Sequence, residues 1–184
     1  MKAWTGPAAA AALMGTVVGA NYLTTTAGFI TVGPGLTATA GTLLAGLALA
    51  LRDGLQDAQG KAAVLAVVAL AAGLSYLVAA PEIAIASAAA FAVSELIDFA
   101  VYTPMRERST FGDRKWAAAV AVSSLVGALV DTVVFLWAAF GSAALTGPAI
   151  AGQLVGKGWG IAAFLAVGWA WVVVRGPVLR EPVK

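Results

Sequence analysis

The chain has 184 residues, of which 61% are hydrophobic and only 11% charged, against about 25% charged in soluble domains. With a mean hydropathy of +0.91, it carries more apolar surface than one soluble core of this size can hide, which points to a membrane and away from a globular enzyme. It has no cysteine and no histidine, so disulfides, thiolate chemistry and Cys or His metal ligands are excluded, and the net charge of +2 matters by its placement.

Six apolar runs follow one another at about 8–28, 36–51, 62–80, 82–103, 116–140 and 153–174. Each is near the ~20 residues that cross a ~30 Å hydrocarbon core. The pattern predicts an all-α integral membrane protein, a six-helix transmembrane bundle forming one domain over residues 1–184. The second run is the shortest, so a tilted or partly re-entrant segment is expected there. Gly33-Pro34-Gly35 ends the first loop, Arg52 to Lys61 reads as a polar loop, Pro81-Glu82 as a tight turn and Met105 to Lys115 as the most charged link. Gly147-Pro148 breaks the fifth connection.

Lys2, Arg52, Lys61, Arg106, Arg108, Arg114, Lys115, Arg175, Arg180 and Lys184 fall on one side of a six-span arrangement, with Lys157 alone inside the sixth run. The positive-inside rule makes that side cytoplasmic, with both termini there. The first run, with one lysine and an alanine-rich core, has some look of a signal peptide, but removing it would spoil this charge distribution.

Acids inside hydrocarbon cost roughly 2.5 to 3.5 kcal/mol even on lenient scales, so they face a bundle interior or a watery cavity and mark function. Asp131 lies roughly 13 Å into span five, Lys157 roughly 6 to 10 Å into span six, with Gln153 above it, and Asn21 roughly 10 Å into span one. An Asp131–Lys157 pair would lessen the cost of burying either charge. Glu95 and Asp98, three residues apart, share one helix face and repel unless one is protonated or a cation such as Arg52 meets them. The bland alternative for each set is a contact that only holds the bundle together. Trp4, Trp116, Trp169 and Trp171 read as interfacial anchors. Phe91, Phe99, Tyr102, Phe135 and Trp137 share helices with the acids, where packing or stacking on a flat ligand are both open. Gly15-x-x-x-Gly19 and Gly152-x-x-x-Gly156-x-x-x-Gly160 are small-residue stripes suited to close helix packing, within the chain rather than between copies.

Several ordered blocks resemble the queuosine-precursor transporter family, also called the vitamin uptake transporter-like (VUT) family. They are Arg52-Asp53 through Asp57 to Gly60-Lys61; Ser94-Glu95-Leu96-Ile97-Asp98 with Tyr102 and Arg106; Ser123-Ser124 through Asp131-Thr132, Phe135 and Ala139-Phe140-Gly141; and Gly152-Gln153 with Lys157 and Trp159. Asp57 stands where Glu is more usual, and the first loop and the termini are short. The resemblance implies import of a 7-deazaguanine base such as 7-cyano-7-deazaguanine into the cell, across the cell membrane, by a multi-pass protein. A carboxylate accepts from the base's N1–H and amino group, its carbonyl needs a donor, and its flat face suits an aromatic ring. Glu95, Asp131, Asn21, Gln153 and Lys157 are the expected substrate-binding residues, with Asp98 and Glu95 as proton-coupling candidates. No catalytic residue, metal, cofactor or nucleic-acid partner is expected, and a homo-oligomer is compatible with the sequence. Coupling stays open between proton-driven exchange and facilitated diffusion with metabolic trapping. Two alternatives are a substrate-binding subunit of an energy-coupling-factor vitamin transporter, which needs an ATPase partner, and a structural or pore-forming protein such as a holin. An intramembrane enzyme is disfavoured, since no Ser/His or metal-ligand set is visible.

Overall fold

A computed structural model of the chain describes residues 6–110 and 112–175. Six helices form a bundle: α1 (Gly6–Ala27), α2 (Thr42–Gln59), α3 (Lys61–Val78), α4 (Pro81–Arg106), α5 (Arg114–Phe140) and α6 (Gly147–Arg175). Four of them, α3 to α6, are long and apolar enough to cross a membrane. The bundle is inverted relative to a soluble protein. Leu70, Leu77, Ile85, Leu96, Leu125, Trp137 and Val167 project outward, while Arg52, Asp53, Glu95, Asp98, Gln153 and Lys157 are buried. An exposed apolar coat of this extent is what a lipid-facing surface requires. The chain is thus an all-α membrane protein in its main architecture.

Local chemistry sets the helix ends. Pro81 opens α4, where its missing N–H costs nothing. Asp113 caps α5, accepting from the backbone N–H of Trp116 at 2.6 Å and of Thr110 at 3.0 Å. Gly147-Pro148, read from sequence as a break, starts α6, in keeping with the preference of proline for a first helical turn.

Three expectations are corrected. First, the link after α1 is an antiparallel hairpin, β1 (Phe29–Gly33) and β2 (Leu36–Thr39), so the architecture is not purely helical. Pro34-Gly35 makes its turn: proline presets the first corner and Gly35 takes φ +67 at the second. Second, the segment from Arg52 to Gln59 is not a polar loop but the last two turns of α2, and Arg52 and Asp53 are completely buried. Arg52 therefore drops out of the flanking cations used for orientation. Third, Trp116 is not an interfacial anchor. It sits in a core cluster with Ala50, Tyr102, Ala119 and Val120. The anchoring expectations for Trp4 and for the side chains of Trp169 and Trp171 lie outside what is described, as do Lys2, Arg180 and Lys184.

Packing follows the small residues. Along α6, a Cβ on Gly152 would stand 2.0 Å from the Thr37 carbonyl oxygen, one on Gly156 2.2 Å from Thr42 Cγ2, and one on Gly160 2.3 Å from the Leu43 carbonyl oxygen. This stripe lets α6 lie directly on β2 and the start of α2, as expected of internal packing. In the Gly15/Gly19 pair, Gly19 approaches Leu44, whereas Gly15 meets nothing within 4 Å.

Candidate functional site

Two polar layers are stacked inside the bundle. The upper one, beneath the hairpin, surrounds a cleft between α1, α2, α4, α5 and α6. The cleft is partly open, and its room for water-sized spheres is about 40 Å³. Its polar lining comprises Asn21, Thr24, Thr39, Ser87, Asp131, Gln153 and Lys157, and Phe91 and Phe135 supply aromatic walls.

Lys157 organises this layer. Its Nζ lies 2.5 Å from Asp131 Oδ2 and 2.7 Å from Thr132 Oγ1, with the Ala128 carbonyl at 3.5 Å. The ammonium thus fills its donor capacity within the protein, and the pairing expected from sequence is present. Lys157 is buried, but the Asp131 side chain keeps 14% exposure. With Oδ2 held by lysine, Oδ1 remains for the cleft. Gln153 donates from Nε2 to Thr39 Oγ1 at 3.0 Å, and its backbone carbonyl accepts from Thr42 at 3.2 Å. Gln153 therefore ties α6 to the hairpin as well as lining the cleft. Asn21 is 4% exposed and its Nδ2 has no partner. Phe135 is held edge-on against Phe140, with ring centroids 5.9 Å apart.

The lower layer lies one to two turns further along the same helices. Ala48, Leu49 and Phe91 line the cleft; Arg52, Asp53 and Glu95 follow three to five residues on, roughly 4.5 to 7.5 Å along the axis. Arg52 reaches three acids with three nitrogens: Nη1 to Glu95 Oε2 at 3.0 Å, Nη2 to Asp98 Oδ1 at 2.6 Å and Nε to Asp53 Oδ1 at 3.3 Å. Ser123 donates to Asp53 Oδ2 at 3.1 Å, and Ser124 reaches the same oxygen at 3.5 Å. Gly127 of α5 packs against the guanidinium: a Cβ there would be in ordinary van der Waals contact, 3.6 Å from Nη2. Beyond this layer, Asp57 takes both oxygens to Arg106 Nε at 2.8 Å, and Gln56 contacts Thr103 at 3.5 Å.

The structure thus divides the residues singled out from sequence. Asn21, Asp131, Gln153 and Lys157 meet around the cleft. Glu95 and Asp98 lie in the lower layer with Arg52, and neither lines the cleft. Among the aromatics, Phe91 and Phe135 reach it, Trp137 points outward at 60% exposure and Phe99 lies under the Lys61 ammonium at 4.9 Å. Sequence reasoning offered Arg52 as a cation for Glu95 and Asp98 but placed it in a loop, and it missed Asp53 as a buried partner. The signal was present, since no proline interrupts the chain between Thr42 and Gly60 and the leucine period Leu47, Leu51, Leu55 runs straight through them. Thr24, Thr39 and Ser87 carried no signal of their own, because hydroxyls are common in membrane helices and loops.

A polytopic bundle whose acids and amides converge on an internal cleft defines a membrane protein built to handle a small polar solute. Residues 75–175 match the family described as "Putative vitamin uptake transporter". The chain belongs to that family, and is a multi-pass membrane transporter of the vitamin-uptake type. The matched stretch carries Glu95, Asp98, Ser123, Asp131, Gln153 and Lys157, whereas Asn21, Arg52 and Asp53 precede it. No curated protein and no solved structure matches the chain.

Proposed function

We propose that this transporter imports a 7-deazaguanine base, such as the queuosine precursor 7-cyano-7-deazaguanine, through the upper cleft. The observation that carries the reading is the pairing of opposite hydrogen-bonding needs on one cleft: a carboxylate oxygen of Asp131 left free by lysine, and a buried amide of Asn21 without a partner. A guanine-like edge presents N1–H and an amino group as donors beside a carbonyl acceptor. Asp131 Oδ1 would accept from the donors and Asn21 would donate to the carbonyl. Lys157 fixes the position of the carboxylate, Gln153 holds the hairpin over the site, and Phe91 and Phe135 offer faces for the ring, with stacking worth roughly 1 to 3 kcal/mol. Buried groups of this kind discriminate against ligands that leave them unpaired. Glu95 takes part indirectly, through the lower layer.

The same proposal has the whole chain act as one transmembrane domain crossing the cell membrane six times, termini cytoplasmic. The helix α2 is set apart from the four apolar spans by Arg52, Asp53 and Asp57, and each of these charges is paired inside the bundle.

The test is restoration of queuosine in the tRNA of cells that lack both precursor synthesis and precursor uptake. Expression of this chain with 7-cyano-7-deazaguanine supplied should restore the modified nucleoside. Its continued absence, with the protein present in the membrane, would overturn the assignment.

A further inference from the structure

The two layers differ in charge balance. In the upper one Lys157 and Asp131 cancel. In the lower one a single guanidinium faces three carboxyl groups, so with every group ionised the layer carries a formal charge of −2: one Arg52 against Asp53, Glu95 and Asp98. All four side chains are 0 to 2% exposed, and each uncompensated ion in such a place costs several kcal/mol. Among the described residues no other cation pairs with the layer. On α2 and α4 the next charges, Asp57 and Arg106, satisfy each other. From α5 come Ser123 and Ser124, which carry no charge, while Asp131, two turns away, is held by Lys157 of α6. Lys61 of α3 sits over Phe99. Tyr22 of α1 and Tyr76 of α3 are half-exposed, and the nearby Tyr102 is neutral in its ordinary form.

A second observation points to what balances the charge. Glu95 is 1% exposed, its Oε2 is held by Arg52, and its Oε1 is buried with no partner. Asp98 Oδ2 is likewise buried with no partner, while its Oδ1 faces Arg52 Nη2. Buried carboxyl oxygens of Glu95 and Asp98 without a donor are a deficit that protons remove directly. Among the described residues no grouping of acids has the form of a metal site.

We propose that the Arg52–Asp53–Glu95–Asp98 layer is a proton-binding site that couples transport to the proton gradient. Protons on up to two of the three acids neutralise the layer while it is occluded, and they leave when the bundle opens it to water. Coupling to the solute follows from shared helices, because α2 and α4 line the cleft with Ala48, Leu49 and Phe91 and hold the charged layer about one turn further on. The inference rests on the transport reading above, but the proton site itself does not depend on which solute is carried.

The experiment therefore has two arms on the full-length chain. Infrared spectroscopy of the purified protein at neutral pH, without any solute, should show the carbonyl stretch of protonated buried carboxyls. That band should weaken in Asp98→Asn, and in Glu95→Gln should the first variant fold poorly. Absence of the band in the wild type, or no change in either folded variant, overturns the proposal. In the second arm, vesicles containing the protein are given 7-cyano-7-deazaguanine. An inward proton gradient should raise its accumulation at least several-fold over counterflow without a gradient, and Asp98→Asn should lose that increment. Counterflow with no response to the gradient overturns the coupling alone. Failure of counterflow overturns the solute assignment, and the infrared arm then decides the proton site by itself.

Discussion

The upper and lower polar layers use the same helices and nearly the same side-chain types, yet they are built to opposite rules. Around the cleft, one cation meets one acid, and the acid keeps an oxygen toward open space. In the lower layer, one cation meets three acids and almost nothing is exposed. A balanced pair beside a cleft can offer a hydrogen bond to a solute without changing its own charge. An unbalanced, closed cluster is poor at holding a solute and well suited to taking up and releasing protons. The difference shows that counting charged residues in a membrane span says little until each is assigned its partner.

Removing the hub of the lower layer should have the largest effect. Arg52→Met leaves three buried acids without a cation, and breaking a buried ion pair from one side costs about 3 to 5 kcal/mol. The variant should give little folded protein, read by thermal unfolding in detergent. Adding Asp98→Asn and Glu95→Gln to it should recover part of the stability, since two of the three orphaned acids are then gone and Asp53 keeps its hydrogen bond from Ser123. Failure of that rescue would mean that packing, not charge, sets the cost.

In the upper layer the parallel change is milder. Lys157→Met strands only one acid, which is partly exposed, so about 3 kcal/mol is expected, the lower end of that range. A loss equal to that of Arg52→Met would erase the contrast between the layers.

Asp131→Asn keeps the shape of the cleft but turns an acceptor into a mixed group facing the solute's donors. Loss of such a charge-assisted contact is worth roughly 1.5 to 3 kcal/mol, about tenfold or more in uptake efficiency. Expression and thermal stability should change far less than uptake; a fall in both together would return Asp131 to a structural role.

Two glycines of the same helix-packing spacing should separate by sign. Gly152→Ala drives a Cβ into the Thr37 carbonyl and should cost about 1 to 3 kcal/mol. Gly15→Ala meets nothing and should gain up to about 1 kcal/mol of helix propensity. Unfolding temperatures of the two variants give the comparison. Destabilisation by Gly15→Ala would show that this outward face packs against something beyond the chain.

Much of this arrangement was legible in the sequence. Acids in long apolar runs had to find partners, and depth along a helix follows from residue count, so Asp131 with Lys157, and Glu95 and Asp98 with Arg52, could be matched in advance. The hairpin was hidden because Phe29-Ile30-Thr31-Val32 is as compatible with a loop leaving a span as with a strand, and the apolar run beginning at Leu36 masked β2. The end of α2 was misread because charged residues suggest loops in a membrane chain, whereas here Arg52 and Asp53 are buried through partners more than 40 residues away in sequence. Trp116 lies near a span end, as an anchor would, but faces inward, and sequence position alone carries no record of which way a helix is turned.

Solute binding in the cleft can be measured directly. Isothermal calorimetry of the purified chain with 7-cyano-7-deazaguanine should show saturable binding, weakened at least tenfold in Asp131→Asn with the fold intact. No binding by the wild type, or equal affinity in the two proteins, would contradict it.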